Sequence, residues 1–412
     1  MVRIGALRVA PFAFALVLAG ATPALAARDD GARVQLDAGQ RLAEAVAMVT
    51  GVPISPLVGV SGLGAWRWWH TPEPFRAALP WYARPAFWGT GLALAFLFAA
   101  NTSIAGLVPG LKKPMDFVEH YENQASALLA SPIVLIEAHR LVAGAFGEGA
   151  DATTAAGAAA PALASAGVAA LTGGGALPLV LRPLAELGAG AIALLAFILV
   201  FLAFHTIQVL IALSPSAILD TLLRLFRFGA LAVAAGSTAV NPYFGALFGL
   251  LILTVAALVS GWSFRLFVYG SVFGHDLLFA SGRSLGAPLA AFSGGGLAGP
   301  PVRSYGRIEG DANGWRFTWR PWLVFPRREV ALPRPVALRR GFLSPALIVS
   351  GVLREPVVVR FPPRGKGREE LLARELGVAE ILDGRIVRGL KAAWVWLKGL
   401  VTGRESAAEA AG

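Results

Sequence analysis

The sequence predicts an α-helical multipass membrane domain followed by a small C-terminal β-rich (α+β) domain. Three observations carry this expectation. Charged residues make up 15% of the 412-residue chain, against about 25% in an ordinary soluble domain, and the mean hydropathy is +0.64. Long uncharged runs recur between residues 86 and 272. Positive charge gathers at the end: residues 301–412 hold 20 Lys/Arg and 11 Asp/Glu, a net of +9, where the whole chain carries +11. Cysteine is absent, which excludes disulfides, thiolate catalysis and cysteine metal sites.

Residues 1–26 read as a signal peptide. Arg3 and Arg8 precede an apolar stretch, 9–20, too short to span a bilayer as a helix, and Ala24-Leu25-Ala26 matches a small-residue cleavage pattern. An uncleaved anchor is the alternative. Residues 27–280 form the helical membrane domain. A short amphipathic helix is expected at 37–51. The apolar stretch after it is broken by Pro53, Pro56 and glycines, as in a re-entrant or buried segment. "WRWWH" at 66–70 suits either the headgroup level or a packed corner. Residues 86–108 give about 23 uncharged positions, enough to cross roughly 30 Å of hydrocarbon, with Lys112 and Lys113 directly after. A helix with polar members (Asp116, Glu119, Glu122, Glu137, His139, Arg140) covers 116–147. Residues 148–176, rich in Ala, Gly and Thr and without Lys or Arg, read as an outer loop or a small-residue helix. A strong span follows at 186–213. Ser214-Pro215 and Asn241-Pro242 each pair an N-cap side chain with proline at the first helical position, opening helices over 215–236 and 242–272.

Residues 281–301, rich in Gly, Ala, Pro and Ser, read as a linker. The basic β-rich domain spans 302–402. An Asn313-Gly314 turn closes a hairpin, and Trp315, Phe317 and Trp319 alternate onto one strand face. Further strands are expected at 323–325, 328–333, 346–353 and 357–361. Helices follow at 367–377 and 384–401, then a disordered tail at 403–412.

"PVVVRFPPRGKGREELLARELG", 356–377, has the strand–glycine loop–helix order of a phosphate-binding loop. A Walker-type loop needs a hydroxyl residue after Gly-Lys to hold magnesium. Here Gly367 follows Lys366, and Arg360 stands where the first glycine belongs. The stretch is better read as a basic turn, Arg364, Lys366 and Arg368, before a helix whose Glu369 and Glu370 complement its dipole. Together with Arg327 and Arg328 these residues are the candidates for binding anionic lipid headgroups.

Within the helical domain the candidate intramembrane polar residues are His205 and Gln208, three apart on one face, Asp220 and Arg224 with Arg227, and Arg265, His275 and Asp276. Ionisable groups inside a bilayer are costly and often functional. The plainer alternative is local ion pairing and snorkelling to headgroups. The five histidines, at 70, 120, 139, 205 and 275, show no metal-ligand spacing, and no HExxH, GxSxG or paired-carboxylate segment occurs. No cofactor or metal is expected, and Glu119-His120 and Glu137/His139 read as a solvated face. The tail's tryptophans alternate as sheet-core residues do, which argues against nucleic acid.

The run "SPSAILDTLLRLFRFGALAV…NPYFGALFGLL…GWSFRLFVYGSVFGHDLL", with "YGRIEG…WRPWLVFPRREVALP" and "FPPRGKGREELLARELGV", resembles an uncharacterised group of bacterial multipass membrane proteins, which transfers no functional residues. Strands followed by a closing helix on a membrane-tethered basic module are similar in order to bacterial pleckstrin-homology-like domains. The resemblance implies a bacterial inner-membrane location, and the positive-inside rule favours a cytoplasmic tail. The leading functional expectation is a non-enzymatic membrane scaffold or envelope-associated protein whose tail binds headgroups or a protein partner, or that self-associates. The alternative is a transporter or channel-like protein using the polar residues around 205–276.

Overall fold

The computed structural model describes residues 38–105, 112–146, 182–214, 217–279, 288–311, 314–333, 337–341, 344–349 and 356–384. The expected signal peptide, the end of the 86–108 span, the 148–176 loop, most of the 384–401 helix and the 403–412 tail lie outside these residues. The chain divides into two compact units, Met1–Phe264 and Arg265–Gly412.

In the first unit, α1 (Ala38–Gly51) leads through a 3-10 turn to α2 (Pro56–His70). Pro53 and Pro56 fall in the turn and at the start of α2, where a missing N–H costs little. The stretch read as re-entrant or buried is thus helical, and Pro53, Ile54, Val60 and Ala65 are buried. Next come α3 (Pro85–Ala105), α4 (Lys112–Phe146), α5 (Arg182–Leu213), α6 (Ala217–Val240) and α7 (Pro242–Phe279). Asn241 caps α7: its Oδ1 accepts the Tyr243 N–H at 2.8 Å, with Pro242 at the first helical position. Helix α4 packs on α1, α2 and α5, and α5 packs on α6. An apolar cluster of Ile54, Val200, Phe204, Leu231, Ala234 and Ala256 fills the space between them.

Among the described residues two helices are long and apolar enough to cross a membrane, Gly190–Leu213 within α5 and Pro242–Phe279. The span expected at 86–108 runs past the described residues; within α3 the described apolar run is Pro85–Phe98. Much of α7 is bare: Phe244, Leu247, Leu251, Val255 and Leu258 are exposed.

The second unit holds the last turns of α7 and a mixed eight-stranded sheet. Its strands are β1 (Leu289–Ser293), β2 (Tyr305–Asp311), β3 (Gly314–Trp319), β4 (Arg328–Ala331), β5 (Ala337–Arg340), β6 (Ala346–Ile348), β7 (Val357–Arg360) and β8 (Glu380–Asp383), in the order β4-β3-β2-β1-β7-β6-β5-β8. All neighbours are antiparallel except β5 and β8. Phe317 and Trp319 are buried with Leu338, Leu347, Val359 and Phe361, and Trp315 packs against them, which is the alternation expected of β3. Helix α8 (Glu369–Leu376) adds Leu372, Ala373 and Leu376 to this core. It ends at Gly377, in the left-handed region at φ 67°, with Val378 N–H donating to Ala373 C=O at 2.8 Å.

Three expectations are corrected here. The 281–301 stretch is not all linker: it contains β1, paired with β2 on one side and β7 on the other. Its sequence, LAAFS, is too short and alanine-rich to announce a strand, yet four of its five residues are buried. Residues 323–325 are not a strand. Trp322 and Leu323 adopt φ of 53° and 62°, which no pleated strand accommodates. The β2–β3 hairpin pairs Asp311 with Gly314, so Gly314 begins the strand instead of sitting at the turn's centre. Strands β5 and β8 went unread.

Candidate functional site

Helix α4 carries a buried stripe at helical spacing: Asp116, His120, Asn123, Ala127, Ala130, Val134 and Ala138. Its first half is polar and its second half apolar. The stripe meets His205 and Gln208 of α5 and Arg227 of α6, all buried. Arg227 organises the contacts. Its Nε donates to Ile54 C=O at 3.0 Å, one terminal nitrogen to Gln208 Oε1 at 3.1 Å, and the other to Asn123 Oδ1 at 3.0 Å. A guanidinium suits this role because its donors diverge in a fixed plane and it stays charged when buried.

The Asn123 amide, oriented by accepting from Arg227, lies with Nδ2 3.0 Å from His205 Nδ1. With Nδ1 accepting, the neutral His205 ring carries its proton on Nε2. Gln124 Nε2 donates to Nε2 of His120 at 3.1 Å; its 3.4 Å approach to His205 Nε2 brings two N–H groups together and is a contact, not a hydrogen bond. The two imidazoles stand 4.4 Å apart between centroids. Burial lowers the His120 pKa to about 4, so the ring is neutral at neutral pH. Nearby, burial pushes Glu122 above the usual carboxylate range, against a 2.6 Å hydrogen bond from Ser126. The His120 Nδ1 and Gln208 Nε2 atoms are buried with no hydrogen-bond partner.

Arg224 reaches Asp116 at 3.1 Å and Glu119 at 3.4 Å, and Asp220 is buried. A second buried carboxylate, Glu137, receives both Arg67 of α2 and the Tyr82 hydroxyl. The reading of Glu119-His120 and Glu137 as a solvated face is therefore corrected: His120 and Glu137 are fully buried. Trp66 and Trp69 of "WRWWH" remain exposed, with Trp66 stacked on His70 at 3.5 Å.

The remaining candidates lie in the second unit. Arg265 Nε donates to Val302 C=O at 3.1 Å. Asp276 is buried, takes the Arg364 Nε at 2.8 Å and its backbone N–H at 3.3 Å, and lies 3.6 Å from the half-exposed His275. Arg327 bridges to Glu309. Among the proposed headgroup residues, Arg364 and Arg327 are thus already held by carboxylates. The sheet places the two groups apart, since β3, β2 and β1 lie between β4 and β7.

Of the intramembrane candidates, then, His205 and Gln208 come together, Asp220 and Arg224 sit in the same unit, and Arg265, His275 and Asp276 belong to the other. Sequence reasoning missed Asn123 and His120 as members of the centre and undervalued Arg227. The usable signal was the stripe itself: Asp116, His120 and Asn123 continue in register into Ala127, Ala130 and Val134, which a solvated face would not do. Among the described residues no cluster of three or more His, Asp or Glu side chains is placed to hold a metal ion. No family model, curated protein or solved structure matches the chain, so function has to be argued from these residues.

Proposed function

We propose that this is a bacterial inner-membrane, multipass, non-enzymatic protein of the transporter class, with protons passing through the buried His120–His205 pair beside Arg227. The observation that carries this is the convergence of α4, α5, α6 and the turn before α2 on one permanent buried cation flanked by two imidazoles. Polar groups are expensive inside a bilayer and concentrate where ions or protons move. Helix packing alone would be served by apolar side chains of the same volume. Two neutral rings in contact, each with a partnered nitrogen, form a short relay for a proton.

The second reading is a scaffold whose tail contacts lipid or a partner. The tail's surplus of basic residues and its strand order, a four-stranded and a three-stranded meander followed by a helix, support a pleckstrin-homology-like module, from which the parallel β8 departs.

Proteoliposomes with a trapped pH-sensitive dye test the first reading. An imposed pH gradient should collapse faster with the protein than in empty vesicles, and His205→Asn and His120→Asn should each slow it to the empty rate. Equal rates for the parent protein and empty vesicles would refute the proton role.

A further inference from the structure

The loop joining β3 to β4, "RPWLVFPR" at 320–327, is closed by the Trp319–Arg328 pair. It presents Trp322, Leu323, Val324 and Phe325 to solvent, with Val324 at 78% exposure. Four consecutive large apolar residues at a loop tip are unfavourable in water. The tip is nevertheless ordered. Leu323 N–H donates to Arg320 C=O at 3.0 Å and Phe325 N–H to Pro321 C=O at 3.1 Å. Pro321 and Pro326 bracket the turn, and Trp322 and Leu323 hold positive φ angles that side-chain-bearing residues rarely adopt. A strained backbone that displays apolar side chains outward signals a use for them.

The surroundings say what the tip meets. Arg320, Arg327 and Arg328 flank it at the sequence level, and all three are exposed. Behind it a cavity of about 350 Å³ is lined by Arg307, Glu309, Thr318, Arg320, Leu323 and Arg327, with Arg327 paired to Glu309. An apolar tip with tryptophan, ringed by arginine, matches the membrane interface: the ring and aliphatic groups enter the acyl boundary, and guanidinium groups stay with phosphates.

We infer that the 320–328 loop docks the C-terminal unit onto an anionic bilayer surface. The apolar tip inserts to a depth of roughly 5–10 Å, and the exposed Arg320 and Arg328 beside it meet headgroup phosphate. The inference rests on the chain being held at a membrane and does not depend on the proton role of the helical unit.

The cysteine-free chain permits a direct test, with a single environment-sensitive fluorophore per variant in full-length protein reconstituted into nanodiscs. Three exposed sites are used: Val324→Cys in the loop, Leu258→Cys on α7 and Glu375→Cys on α8. In discs containing phosphatidylglycerol and a shallow doxyl-labelled lipid, the 258 and 324 labels should be blue-shifted and quenched, and the 375 label should not. Arg320→Glu with Arg328→Glu should abolish quenching at 324 and leave 258 unchanged. Quenching at 258 without quenching at 324 overturns the docking inference alone, and a protein occupant of the tip then fits better. Equal quenching at 324 and 375 overturns it as general adsorption. An unquenched 258 overturns the membrane reading together with the inference.

Discussion

Replacing Arg227 by methionine removes three donors from the middle of the helical unit while keeping most of the side-chain volume. Three buried acceptors lose their partner: Ile54 C=O, Gln208 Oε1 and Asn123 Oδ1. Each unsatisfied acceptor costs about 1–3 kcal/mol. Against this, the burial penalty of the guanidinium itself disappears, and that penalty is several kcal/mol. Three unsatisfied acceptors together cost about 3–9 kcal/mol, of which the relieved burial offsets several kcal/mol, so a loss of about 3 kcal/mol is expected. Arg227→Lys should lose part of this, since one ammonium cannot reach acceptors on three diverging elements. Purified full-length protein in detergent, unfolded by heat or denaturant and followed by tryptophan emission, gives the measurement. A cycle with Gln208→Met isolates one arm and should show about 1–2 kcal/mol of coupling. Unfolding of Arg227→Met at or above the parent's midpoint would show that the cation does not organise the centre.

Two further outcomes follow from the same structure. His120 is held neutral by burial with a pKa of about 4, against 6.5 in the unfolded chain. The unfolded state therefore takes up a proton first, so its stabilising effect is complete above pH 6.5 and is lost as pH falls toward 4. The span of about 2.5 units corresponds to about 3 kcal/mol. Glu122, raised by burial, acts in the opposite sense, so the readout is the difference between the parent and His120→Gln; a pH-independent difference would contradict the assignment. In the sheet, a Cβ at Gly306 would lie 2.3 Å from Thr318 O and 2.6 Å from Phe317 Cζ. Gly306→Val should cost about 1–3 kcal/mol as overpacking, seen as a lowered midpoint for the C-terminal unit, and an unchanged midpoint would count against this register.

The helical order was legible because its punctuation is chemical: Asn241-Pro242 is a cap followed by a residue that needs no N–H, and the structure uses it that way. The hairpin strands were legible from the alternation of Trp315, Phe317 and Trp319. Less was legible where composition hides geometry. LAAFS becomes a central strand because β2 and β7 pair with it, a long-range fact that five small residues do not encode. The stretch 323–325 reads as a strand from its apolar content alone; the φ angles of Trp322 and Leu323 show that it is not one. In the helical unit, His205 and Gln208 were identified from their shared face. Their partners were not, because Asn123 and His120 sit among acids that suggest solvent, and only packing against α5 shows which side of α4 is dry.

The placement of β1 has a mechanical consequence. It begins ten residues after Phe279, the last residue of α7, and is bonded on both flanks. Tension transmitted along that helix would enter the sheet at an interior strand, where two ladders must give way together, and not at an edge that can peel one bond at a time. Excising residues 281–301 as if they were a spacer would split the sheet into two separate meanders, each with a newly bare edge.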